Sequence, residues 1–115
     1  MFVGVTTFEL HIPHAHSLKE KRMIVKSLRD RLRNRFEVSV AEVALQDLHQ
    51  RARLAVAVVS GDAKSVDRIL EAIGEFVEEN TDARVIGRGH EVIQFDDEAP
   101  LELPGGDFEQ EFDIE

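Results

Sequence analysis

The chain has 115 residues, enough for one domain and too few for two. Its formal charge of −9 is unevenly placed: residues 1–53 carry ten Lys/Arg against six Asp/Glu, residues 54–95 four against eight, and residues 96–115 none against nine. A balanced body with an acidic end excludes a uniformly acidic surface, and the lack of Cys excludes disulfides, thiolate metal sites and Cys nucleophiles.

No apolar run is long enough to span a bilayer. Residues 1–16 hold no Lys or Arg and include Glu9, so they do not read as a signal peptide, and a cytoplasmic protein is expected.

In chain order, residues 2–12 are β-branched and aromatic, and Phe8, Leu10 and Ile12 alternate with Glu9 and His11 as a half-buried strand does. Pro13 ends that strand. Ser17 followed by Glu20 forms a capping box, so a helix is predicted from there to about Phe36, with an apolar stripe of Leu18, Ile24, Val25, Leu28, Leu32 and Phe36. Residues 37–46 read as a second strand, with a bulge near Ala41-Glu42 to reconcile Val38 and Val40 with Val43 and Leu45. Residues 52–60 form a third strand. Asp62 caps a second helix whose stripe is Val66, Ile69, Leu70, Ile73, Phe76 and Val77, and residues 83–95 form a fourth strand.

The order β-α-β-β-α-β predicts an α+β, ferredoxin-like domain over residues 1–95, with two helices on one face of a four-stranded antiparallel sheet. The other sheet face stays open, to be wetted or covered. Residues 96–115, with Pro100, Pro104 and nine acids, read as a disordered acidic tail punctuated by Leu101, Leu103, Phe108, Phe112 and Ile114.

Lys19, Arg22, Lys26, Arg29 and Arg33 recur at 3-4-3-4 spacing and share one sector of the first helix, with Glu20 and Asp30 expected to point elsewhere. Such a row suits a phosphate backbone, through Coulomb attraction and counterion release. A solvated face is the plain alternative. The third strand has no aromatic to stack bases, so contact to structured RNA by shape and phosphate is expected rather than base reading. His11, His14 and His16 invite a metal, yet no acid sits close by in sequence, and loop or capping roles are preferred. Glu42, Gln46, Asp47, His49, Gln50 and Arg51 gather polar groups around one turn, where Glu42, Asp47 and His49 would be the candidates for acid/base work. No nucleophile motif or Gly-rich phosphate loop accompanies them, so hydrogen-bonded turn residues are the preferred reading.

Leu10-His11-Ile12-Pro13, Ser17 to Arg22, Val38 to Val43, Gln46-Asp47 and Gln50-Arg51-Ala52 together resemble the DUF503 or YlxP-like family over about residues 1–95. That resemblance implies a small bacterial cytoplasmic protein with no established activity. Genes of the family commonly lie beside those for translation initiation factor 2 and ribosome-binding factor A, which implies a translation or ribosome-maturation role by association. The family motif falls on Ser17 to Arg22 and on Glu42, Gln46, Asp47, Gln50 and Arg51, with His49 where members usually carry Trp. The expectation is therefore a non-enzymatic module without cofactor or metal. It binds ribosomal RNA or a ribosomal subunit, not DNA or membrane. The alternatives are a homodimer or protein-interaction module using the open sheet face, with Phe8 and Leu10 on it, and less favoured, a small hydrolase. The tail is expected to be a solubilising, disordered end, with the alternative that it folds back over the basic row to compete with RNA, or docks on a partner.

Overall fold

In a computed structural model, which describes residues 1–96, the elements are β1 (Phe2–His11), α1 (Leu18–Arg35), β2 (Ser39–Ala44), β3 (Arg51–Ser60), α2 (Ala63–Asn80) and β4 (Arg84–Gln94). The strands make one antiparallel sheet in the order β2-β3-β1-β4, with both helices on the same face. This is the ferredoxin-like arrangement. The acidic residues beyond Asp96 lie outside the described residues.

Alternation assigns the two sheet faces. Thr6, Phe8 and Leu10 of β1 and Ala52, Leu54 and Val56 of β3 are fully buried beneath the helices. Val25, Leu28 and Leu32 of α1 and Ile73 and Val77 of α2 meet them in one core. The rings of Phe36 and Phe76 close the seam between the helices edge to face, 5.7 Å apart. Phe8 and Leu10 therefore do not belong to the open face, as the sequence allowed. Their positions in the strand share parity with Ile12, which is also buried, and the open face takes Val3, Val5, Thr7, Glu9 and His11 instead.

The bulge in β2 exists one residue later than expected. Glu42 pairs with Leu54 and Ala44 with Arg53, so Val43 is the extra residue and is pushed into solvent. Val40 and Glu42 thereby stay on the helix side. A second bulge, at Ile86, lets Leu10 pair with Val85 after Glu9 pairs with Gly87.

The start of α2 lies hard against β1. A Cβ added at Gly4 would collide with Val66 Cγ1, and Leu70 lies just behind. Gly4→Val is expected to lower stability by about 1–3 kcal/mol through overpacking, read as a lower midpoint in urea with an unchanged slope.

Candidate nucleic-acid interface

The site is built on α1, and α1 is fixed at its first turn. The Ser17 hydroxyl accepts from the Glu20 amide at 3.1 Å, and the Glu20 carboxylate accepts from the His16 amide at 2.9 Å, one residue before the usual partner of a capping box. From there the helix turns four residues inward: Lys21, Val25, Leu28 and Leu32. Three are apolar and one is a lysine.

Lys21 is fully buried. Its Nζ donates to the carbonyls of Leu45 at 2.9 Å, Gln46 at 3.2 Å and Arg51 at 3.3 Å, and lies 2.9 Å from Glu42 Oε2. An ammonium has three protons, and three carbonyls take them. The carboxylate is held by charge rather than by an aligned hydrogen bond. Leu45 itself stands in the left-handed region, φ 66°, a conformation that costs roughly 1–2 kcal/mol and that its carbonyl's bonds to Lys21 and to the Leu48 amide offset.

The rest of the polar cluster around the β2–β3 connection is tied down in separate directions. Gln46 donates to the Glu42 carbonyl, and Gln50 to those of Pro13 and Ala15. Arg51 and Arg53 grip the Glu9 carboxylate on the open sheet face. Asp47 and His49 are exposed. The carboxylate of Glu42 thus faces Lys21 and not the exposed imidazole. His14 and His16 are exposed while His11 is half-buried, and among the described residues no three His, Asp or Glu side chains gather closely enough to hold a metal ion.

The basic row follows α1 as predicted. Lys19, Arg22, Lys26 and Arg33 are exposed and Arg29 is partly so. Between α1 and β2, Arg22, Val25, Lys26, Arg29 and Glu42 line a cleft of about 260 Å³. Two features depart from expectation. Asp30 does not point away: its Oδ2 is 3.0 Å from Lys26 Nζ and its Oδ1 3.7 Å from Arg29 Nε. Position i+4 from Lys26 brings the two side chains together over the flank of the row. The hydrogen bond from Lys26 holds the Asp30 carboxyl below its ordinary 3.8; partial desolvation opposes this, and the charges of Lys26 and Arg29 reinforce it. A lowered folded-state value means that its small contribution to stability is present above the unfolded value and lost as pH falls through the folded one. At neutral pH Asp30 is therefore a fixed anion within the row. The second departure is Arg33, whose Nη2 donates to the Val40 carbonyl of β2 at 3.1 Å.

With the fold and this cleft in view, the family follows. A model described as "Protein of unknown function (DUF503)" matches residues 3–88, and the chain belongs to that family. A relative is the "Uncharacterized protein YlxP" of Bacillus subtilis (strain 168), 34% identical over 76 residues, or 66% of this chain and 83% of the relative. Among solved structures, a de novo designed protein with ferredoxin fold aligns over 90% of this chain and 93% of its own, at 16% identity and a TM-score of 0.49.

Sequence reasoning passed over Lys21 as a structural residue. The signal was present: Lys21 stands four before Val25, at the same step that links Leu28 to Leu32. A lysine on an apolar stripe needs buried oxygens. Lys21→Met is expected to cost about 3 kcal/mol, the low end for breaking a buried pair, because Glu42 keeps 17% of its side-chain surface in water. Adding Glu42→Leu should recover part of that loss, and urea unfolding of both variants measures it.

Proposed function

We propose that this protein is a non-enzymatic RNA-binding module that contacts phosphates of structured RNA, of the kind found in ribosomal subunits, through Lys19, Arg22, Lys26, Arg29 and Arg33. The observation that carries the reading is the cleft between α1 and β2. Three cations line it, and the carboxylate at its floor, Glu42, is already matched by Lys21 beneath. The cleft's surplus charge is therefore positive, which suits an anion such as a phosphate. The acids of α2, Asp67, Glu71, Glu75 and Glu78, are exposed on their own helix. The gene association implied by the family resemblance agrees with a partner in translation.

Arg22→Glu, Lys26→Glu and Arg29→Glu combined should abolish co-sedimentation with ribosomal subunits, while thermal unfolding stays cooperative. Retained co-sedimentation would refute the proposal. For the unmodified chain on single-stranded RNA, five phosphate contacts imply a slope of about −3.5 for log affinity against log salt.

Asp30 gives a test of opposite sign. Asp30→Asn removes the anion held between Lys26 and Arg29. RNA affinity at low salt should rise several-fold, and the gain should fade as salt screens the row.

A further inference from the structure

We propose that the open face of the sheet is the docking surface for the chain's own acidic C-terminal segment, residues 97–115. That face is divided along its length. At the end where β1 begins and β4 finishes, Val3, Val59, Ile93 and Phe95 gather, and Val59, Ile93 and Phe95 are 62%, 47% and 57% exposed. At the opposite end the register sets His11 between Arg51 and Arg84, and Arg53 beside Glu9. Arg51, Arg53 and Arg84 outnumber the single Glu9 carboxylate on the strands there. Between the two ends the row Ala41, Ala55, Thr7 and Gly89 is low, and the row beside it, Ser39, Ala57, Val5 and Glu91, adds one exposed acid.

The C-terminal segment matches both halves. It starts at the apolar end, since the Phe95 amide is still bonded to the Met1 carbonyl at 2.8 Å. It holds Leu101, Leu103, Phe108, Phe112 and Ile114 among acids, with no Lys or Arg. Nineteen residues reach about 60 Å when extended, against about 33 Å for the ten-residue strand β1. The segment therefore has length to cover the apolar end and bring carboxylates to Arg51, Arg53 and Arg84.

The basic row of α1 is the poorer receptor. Its outer side offers Met23 as an exposed apolar residue, against Val59, Ile93 and Phe95 gathered on the sheet face. A second copy of the chain would bring the same surplus of cations to that end of the face, and so supplies no charge complement.

The chain has no Cys, so Glu111→Cys in the full chain carries a single nitroxide spin label. Amide signals of Val5, Ala55 and Ala57 should lose most of their intensity, while those of Lys26 and Arg29 keep theirs. Arg51→Glu with Arg53→Glu should restore much of the lost intensity. So should Phe108→Ser with Phe112→Ser, a pair outside the described fold, which guards against a folding defect in the first variant. Quenching centred on α1 would overturn the proposal, as would intensities unchanged everywhere. Quenching of an unlabelled chain by a labelled one would assign the face to a second copy and overturn it too.

Discussion

The Lys21 ammonium is where helix, edge strand and connection meet. It rises from the core side of α1, takes the carbonyls of Leu45, Gln46 and Arg51, and sits against Glu42. Hydrogen bonds to a charged donor contribute about 1.5–3 kcal/mol each, and a buried ammonium without them would be strongly unfavourable. The consequence is geometric. The β2–β3 connection is not a loose loop but a cap folded over one lysine, including a left-handed Leu45 that ordinary sterics disfavour. Because β2 pairs in unbroken register from Ser39 to Glu42 and bulges only after it, at Val43, Glu42 stays on the helix side with Val40, where Lys21 can reach it. Helix and edge strand are locked in register by charge as well as by packing.

That lock also shapes the electrostatics of the outer surface. Viewed by net charge alone, a chain at −9 repels polyanions. The arrangement is more local. Glu42 is neutralised from beneath, leaving Arg22, Lys26 and Arg29 as the charge facing outward, and Asp30 trims that charge from the flank. The row is thus a tuned cationic strip and not an unopposed one.

Much of this was legible from residue order. The capping Ser17, the two stripes, the alternation in β1 and the Asp62 cap each carry a local signal, and each produced the expected element. What escaped needed information across the sequence. The face taken by Phe8 and Leu10 depends on where the helices lie, which strand alternation alone does not say. The bulge at Val43 rather than at Ala41-Glu42 depends on pairing with β3. Asp30 looked remote on a helical wheel, yet long side chains bridge neighbouring sectors. Of the polar cluster, the sequence foresaw hydrogen-bonded turn residues. It did not foresee that Glu42 and Arg51 would serve opposite faces of the sheet, since only the bulge and the pairing register separate them.

Arg33 also reaches the edge of the sheet. β2 is an edge strand, and edge strands present free backbone groups that recruit other strands. Arg33 occupies the Val40 carbonyl and Gln46 the Glu42 carbonyl, so two acceptors along that edge are already taken. The row's last cation thus doubles as a guard against sheet-to-sheet aggregation. Losing it would bare a template for strand addition, and on the proposed RNA-binding reading it would also remove a phosphate contact, which ties solubility and recognition to one side chain.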